Sequence, residues 1–117
     1  MHELSIANEI VGIVNQYLPD TYQKVNSVNI RIGKLTNVLI DSLQFCFSVI
    51  IGNSNLEGAE LNVEEVEITA ECQACKNIFP VDKNIFICSK CGADDVKILT
   101  GMELNVVEIL IDEEEGR

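Results

Sequence analysis

Two CxxC pairs constrain the fold of this chain more than any other feature. Cys72 and Cys75 form the first pair, Cys88 and Cys91 form the second, and twelve residues lie between them. Each pair can fold into a tight turn that points both sulfurs at one ion, and two such turns close a tetrahedral site with zinc–sulfur distances of about 2.3 Å. Gly92 follows the second pair, where positive φ is often needed. The spacing predicts a four-cysteine zinc site.

The segment between the two pairs is predicted to be a short hairpin. Its turn would be Asp82-Lys83-Asn84, and Phe79 and Phe86 would cover the metal. Four thiolates around one zinc ion leave no open coordination position, so this metal is expected to hold the fold together and not to perform catalysis.

Two disulfides are the main alternative to a zinc site, and a thioredoxin-like redox pair is a further one. The cysteine count is five, which is odd. The chain does not open on a basic segment followed by an apolar run, so no signal peptide is predicted. The densest apolar stretch, residues 45–51, is too short to span a membrane. We therefore expect a cytoplasmic protein, away from membranes, in which paired cysteines bind metal.

Charge argues against a nucleic-acid partner. The 117 residues suggest one domain, or one domain with a small module, and the net charge is −11. A phosphate backbone repels such a surface. The charge is uneven, since residues 72–100 carry four lysines and three aspartates while the rest carries 4 basic and 16 acidic residues. This split indicates either two solvated surfaces or two parts that meet different partners.

Three elements are predicted before the cysteines. Apolar residues recur at spacings of three and four and predict a helix that ends near Pro19. These apolar residues are Leu4, Ala7, Ile10, Val11, Val14 and Leu18. Alternation predicts a strand at 25–32, closed by Gly33. A second helix is predicted at 42–51, with Asp41 as N-cap and Gln44 completing a capping box. It is apolar nearly all round, so burial on more than one side is expected, with Cys46 as a core residue.

Two more strands complete the predicted order. One covers about 59–70, with a bulge near Glu64-Glu65, and the other covers 104–111 before an acidic tail. These two strands, which flank the cysteine module, are predicted to pair. The fold class is α/β (α+β), with two helices on a three-stranded sheet and an inserted zinc-ribbon-like module. The expected domains are residues 1–70 plus 101–117 and a zinc-binding module at 71–100, with a hinge next to Glu71 and Thr100.

The single histidine, His2, has its own chemistry. A histidine in second position can chelate a transition metal through the terminal amine, its own amide nitrogen and its imidazole. The amide nitrogen or the carboxylate of Glu3 can supply a further donor. Nitrogen donors in a square-planar set suit Ni(II) or Cu(II). An exposed terminal side chain without metal is the plain alternative for this position.

Several motifs together resemble the HypA/HybF family of nickel metallochaperones for hydrogenase maturation. They are M-H-E at 1–3 with the following helix, S-L-Q-F-C-F at 42–47, L-E-G-A-E-L at 56–61, both CxxC pairs, C-G at 91–92 and G-M-E-L at 101–104. The resemblance covers essentially the full chain in order. It implies that His2, with Glu3 and the Met1 amine as neighbours, binds Ni(II), and that Cys72, Cys75, Cys88 and Cys91 bind structural zinc.

The resemblance also implies a function and partners. The expected partners are a HypB-type GTPase and the large subunit of a nickel–iron hydrogenase, and in some organisms such proteins also serve urease maturation. The expected mechanism is binding and transfer of nickel, so the protein is not expected to be an enzyme. This chain has no second histidine, so a further imidazole ligand would have to come from another subunit or a partner. Monomer and homodimer both remain open.

Two rival functions are kept. The first is a zinc-ribbon module for protein interaction or nucleic-acid machinery, without a role in nickel binding. The second is an enzyme that uses Cys46 with His2, which the single histidine and the apolar surroundings of Cys46 disfavour.

Overall fold

A computed structural model describes residues 3–113 of the chain. Its elements are α1 (Glu3–Tyr17), β1 (Tyr22–Gly33), a 3-10 turn (Lys34–Thr36), α2 (Ile40–Ile51), β2 (Glu60–Val66), β3 (Thr69–Cys72), β4 (Ile78–Pro80), β5 (Val96–Thr100) and β6 (Leu104–Glu113). Two helices, two small sheets and a four-cysteine cluster make an α+β fold, as the sequence predicts.

Helix α1 follows the predicted apolar period. Its buried residues are Ile6, Ala7, Ile10 and Val14, which lie on one face of a helix with 3.6 residues per turn. The helix ends at Tyr17, just before Pro19, whose missing N–H cannot continue it. Leu4 was predicted to belong to the apolar face, but it is exposed.

The start of α2 differs from the prediction. The helix begins at Ile40 with Leu39 in the N-cap position, and no side chain of that residue caps it. The predicted capping box is wrong, because Asp41 lies inside the first turn and Gln44 donates to the carbonyl of Leu61 at 2.9 Å. A distant group caps the helix, since the Glu3 carboxylate accepts the Leu39 N–H at 3.0 Å. A carboxylate at this position also interacts favourably with the helix dipole.

The two helices lie side by side and run in the same direction. Glu3 meets Leu39 at one end, and the Asn55 amide donates to Asn15 at 2.8 Å at the other. The buried residues of α2 are Leu43, Phe47 and Ile51, which form a single stripe. The expectation that α2 is buried on more than one side is wrong, because Phe45 and Val49 point to solvent.

Strand β1 is the centre of the first sheet, whose order is β2-β1-β6. Its alternating residues Val28, Ile30 and Ile32 are buried, as predicted. On the solvent face, Asn29 accepts from Asn62 of β2 at 2.9 Å and donates to Glu108 of β6 at 2.7 Å. The predicted direct pairing of the strands that flank the cysteine module is wrong, because β1 lies between them.

The segment predicted as one bulged strand at 59–70 is two strands in different sheets. Strand β2 ends at Val66, and β3 begins at Thr69 as the centre of a second sheet with the order β4-β3-β5. Ala70 of β3 pairs with Phe79 of β4 on one side and with Ile98 of β5 on the other, both antiparallel. The predicted change of phase near Glu64-Glu65 lies within β2, before the passage between the sheets at residues 67–68, and strand β5 was not predicted.

The chain forms two compact units. The body unit contains residues 3–31, 38–64 and 105–113 of the described chain, and the cysteine unit contains residues 32–37 and 65–104. The cysteine unit is larger than the expected module at 71–100, because it also contains residues 32–37, 65–70 and 101–104. Glu71 and Thr100, next to which the hinge was predicted, lie in paired strands of one sheet. No helix within residues 3–113 is long and apolar enough to cross a membrane.

Candidate metal centre

The first cysteine pair is a turn that begins at the end of β3. Cys72 is the last residue of that strand, and its N–H donates to the carbonyl of Asn77 at 2.8 Å. The chain then reverses, so that the Lys76 N–H donates to the Cys72 carbonyl at 2.9 Å and the Cys75 N–H points at the Cys72 sulfur at 3.5 Å. Lys76 completes the turn with φ of 67°.

The second pair repeats this geometry. The Gly92 N–H donates to the Cys88 carbonyl at 3.0 Å, and the N–H groups of Lys90 and Cys91 point at the Cys88 sulfur at 3.3 and 3.4 Å. Gly92 has φ of 79°, which confirms the predicted need for positive φ at this position. The turn predicted between the pairs is present, since the Ile85 N–H donates to the Asp82 carbonyl at 3.0 Å. The predicted hairpin around it is wrong, because β4 pairs with β3 and no strand lies between Pro80 and Val96.

The two turns bring all four sulfurs to one place. The sulfurs of Cys72, Cys75, Cys88 and Cys91 lie within 4.8 Å of one another. The Cys72–Cys91 and Cys75–Cys88 sulfur pairs are each 3.6 Å apart. A tetrahedron with zinc–sulfur bonds of about 2.3 Å has edges of about 3.8 Å, so the cluster has the right size for such an ion. Among residues 3–113 it is the one group of His, Cys, Asp or Glu side chains able to hold a metal.

The disulfide alternative does not fit this geometry. A disulfide requires about 2.05 Å between sulfurs, and none of the five cysteines is bonded to another. The fifth cysteine, Cys46, is half-buried in α2 and does not belong to the cluster. The structure therefore separates four metal-binding thiols from one lone thiol.

The four thiols have unequal surroundings. Cys72 and Cys88 are buried in an apolar cluster, while Cys75 and Cys91 are exposed. The pKa of Cys88 is lowered to about 6, because the Cys91 N–H donates to its sulfur, with help from the Lys90 N–H and the Asn77 amide. The Ala93 N–H lowers the pKa of Cys91, but the three neighbouring sulfurs and burial outweigh it and raise that pKa to about 12. Four thiolates this close need a cation to ionise together.

Asn77 is a residue of the site that the sequence did not reveal. Its amide nitrogen lies 3.7 Å from the Cys88 sulfur and 3.5 Å from the Ser89 hydroxyl oxygen, so it joins the two turns. The cluster below the sulfurs contains Ile68, Ala70, Phe79 and Val81, with Phe86 packed against it. Both aromatic residues therefore lie where the sequence placed them, next to the cysteines.

Lys76 offers a test of these turns, because its backbone is in the left-handed region that glycine prefers. A side chain in that region costs on the order of 1 kcal/mol. We expect Lys76→Gly to raise the free energy of unfolding of the metal-loaded protein by about 0.5–1 kcal/mol and Gly92→Ala to lower it by a similar amount. Thermal unfolding of the two variants measures this, and a shift of both in the same direction would contradict it.

The predicted nickel residues are only partly within the described chain. Met1 and His2 lie outside residues 3–113. Glu3 is half-buried at the start of α1, and its carboxylate is hydrogen-bonded to the Leu39 N–H. The side chain of Glu3 thus has a structural contact that the sequence did not indicate.

The fold and the cluster define a class, namely a small α+β protein with a four-cysteine metal-binding unit. Comparison with known proteins identifies the family. The family model described as "Hydrogenase/urease nickel incorporation, metallochaperone, hypA" matches residues 1–111, so the chain belongs to the HypA family.

Sequence relatives agree with this assignment, and a solved structure has the same fold. The chain is 42% identical to a "Hydrogenase maturation factor HypA" of Desulfosudis oleivorans, over 97% of this chain and 100% of the relative. It is 38% identical to a factor of the same name from a Nostoc species, over 97% of each chain. The solution structure of the Ni metallochaperone HypA from Helicobacter pylori has the same fold, with a TM-score of 0.69 at 20% identity over 97% of this chain and 100% of that one.

Proposed function

We propose that this protein is a nickel metallochaperone that binds Ni(II) at its N-terminus and delivers it to the large subunit of a nickel–iron hydrogenase. The observation that carries the proposal is the family match over residues 1–111, which includes the M-H-E start together with both CxxC pairs. The family is one of nickel incorporation and hydrogenase maturation.

The proposed nickel donors are the Met1 amine, the amide nitrogen of His2, the His2 imidazole and residue 3. For Glu3 we propose that the backbone nitrogen takes part, since its carboxylate accepts the Leu39 N–H. Nitrogen donors of this kind suit a square-planar Ni(II) site. A chelate made from the first residues of a chain can open by local fraying, which suits a protein that must release its metal.

The proposed metal of the cysteine cluster is structural zinc, held by Cys72, Cys75, Cys88 and Cys91. The sulfur geometry supports this proposal, because four thiolates complete the tetrahedral coordination of zinc and leave no position open for a substrate. Bound zinc would stabilise the four thiolates together. The residues of the chain itself place the sulfurs, through the backbone N–H groups that point at Cys72 and Cys88.

Transfer of a metal ion requires partners and no bond-making in a substrate, so the protein is proposed not to be an enzyme. We propose a HypB-type GTPase and the hydrogenase large subunit as partners, acting in the cytoplasm. The family description also names urease, so urease maturation proteins are further candidates in organisms that have them.

Calorimetric titration with Ni(II) tests the proposed site. The protein is loaded with zinc and carries its native Met1, and it is compared with His2→Ala and with a form that has extra residues before Met1. Both changes are expected to weaken nickel binding at least 100-fold, because each removes a donor of the chelate, while zinc stays at one per chain.

The matched control for this titration is Glu9→Gln, which removes an exposed carboxylate from the same helix. It is expected to leave nickel affinity unchanged. Unchanged nickel binding by the His2→Ala protein would place the site elsewhere and would remove the main support for the delivery function.

A further inference from the structure

One face of α2 is exposed and carries two large apolar side chains. Its solvent-facing residues are Asp41, Phe45, Ser48 and Val49, which we call the outer stripe. Phe45 and Val49 are 68% and 60% exposed, and they are neighbours because residues four apart lie on the same side of a helix. Phe45 and Val49 therefore form an exposed apolar pair on this face of the helix.

The fold of the body unit does not need these apolar side chains. Leu43, Phe47 and Ile51 already supply the buried stripe of α2. Single exposed apolar residues are ordinary, but a contiguous group on one helix face is typical of a binding surface. Covering a phenylalanine or valine side chain removes apolar surface from water, which stabilises a complex. The outer stripe therefore offers two neighbouring apolar side chains, Phe45 and Val49, that another molecule can cover.

The charge of the two helices indicates which kind of molecule covers the outer stripe. Helices α1 and α2 carry three carboxylates, those of Glu3, Glu9 and Asp41, and no lysine or arginine. The Glu3 carboxylate accepts the Leu39 N–H. The carboxylates of Glu9 and Asp41 are exposed to solvent. A second copy of this chain would bring two acidic helical layers together without a cation, which is unfavourable. A partner that presents apolar side chains surrounded by lysine or arginine complements both the exposed apolar residues and the negative charge of this surface.

We propose that the outer stripe of α2 is the docking site for a different protein, which inserts apolar side chains between Phe45 and Val49 and surrounds them with basic residues. The stripe begins at the end of α2 to which the Glu3 carboxylate is bonded. A partner on this face would thus lie at the end of the body unit where α1 begins. The proposal rests on the proposed function in one respect, because the GTPase used to test it is a partner that the proposed function names.

Binding of the purified HypB-type GTPase from the same organism tests the proposal. Calorimetry compares the native protein with Phe45→Ser, Val49→Ser and the double variant, whose exposed positions spare the core. The double variant is expected to bind at least 10-fold more weakly, since apolar anchors dominate such interfaces. Phe45→Leu should stay within about 3-fold of the native affinity. Asp41→Lys should weaken binding and reduce its salt dependence.

The control variants are Tyr17→Ser on α1 and Ile78→Ser on β4, both of which remove a large exposed apolar side chain elsewhere. They are expected to bind like the native protein. Native-like binding by the double variant overturns the proposal, and so does a native protein that does not bind the GTPase. A native dimer that the double variant converts to monomer would assign the stripe to a second copy and also overturn it. The nickel titration is independent of all these results.

Discussion

Replacing Gly33 by alanine is expected to lower the free energy of unfolding of the metal-loaded protein by at least about 3 kcal/mol. A Cβ at this position would lie 2.0 Å from the backbone carbon and oxygen of Gly101 and 2.5 Å from the nitrogen of Met102. These atoms belong to the backbone and cannot rotate away. Two short hydrogen bonds, from Gly33 N–H to the Glu103 carbonyl and from Leu35 N–H to the Gly101 carbonyl, both 2.8 Å, hold the two segments together.

Glycine is required at position 33 because the backbone of residues 101–102 lies so close, and not because of an unusual backbone conformation. Gly33 has φ of −77° and ψ of 144°, which any residue can adopt. Gly52 is therefore the matched control, because a Cβ there would meet only ordinary contacts, the nearest at 3.5 Å. Gly52→Ala should change stability by less than about 0.5 kcal/mol. Chemical denaturation measures both, and a Gly33→Ala protein as stable as Gly52→Ala would show that the two segments are not packed as described.

The cysteine cluster could be predicted from the sequence because its geometry is local. Each CxxC turn is closed by hydrogen bonds between residues at most five positions apart, such as Gly92 N–H to the Cys88 carbonyl. The spacing of the cysteines and the glycine that follows them therefore predict the turns from the sequence alone. Helix α1 was predictable for a similar reason, since its buried face repeats with the helical period.

The division between the two sheets could not be predicted, because it depends on contacts distant in sequence. Residues 60–72 have continuous strand character, and nothing local shows that the chain leaves one sheet after Val66 and enters another at Thr69. Propensity describes a fit to a half-buried pleated surface and does not identify the neighbouring strand. The same limit explains the missed strand β5, whose pairing with β3 alone defines it.

The cap of α2 shows how a distant residue overrides a local rule. Asp41 and Gln44 have the spacing of a capping box, but the helix begins earlier and Glu3, thirty-six residues before Leu39, accepts its N–H. The exposed outer stripe is a second case. A helix that is apolar nearly all round predicts burial on several sides, and within the described chain only one side is covered. We interpret that difference as a sign of the proposed partner.

Loss of the metal is expected to unfold the cysteine unit and leave the helices of the body unit intact. Apart from Cys72 and Cys88, the buried cluster of the cysteine unit contains only Ile68, Ala70, Phe79 and Val81. A core of this size rarely supports a fold alone, whereas structural zinc contributes about 10–16 kcal/mol of apparent binding free energy in zinc-finger peptides. Cys88→Ser should therefore abolish amide protection across β3, β4 and β5. Hydrogen exchange read by mass spectrometry measures this segment by segment.

The matched control for the metal prediction is Cys46→Ser, which removes the one cysteine outside the cluster. It should keep one zinc per chain and native protection in the cysteine unit. The body unit has its own buried side chains, including Leu43, Phe47 and Leu56, so α1 and α2 should stay protected in the Cys88→Ser protein. Protection that persists in β3 without metal would mean that the apolar cluster suffices, and the zinc would then lose its proposed structural role. Simultaneous loss of protection in α2 would instead show that the body unit depends on the metal as well.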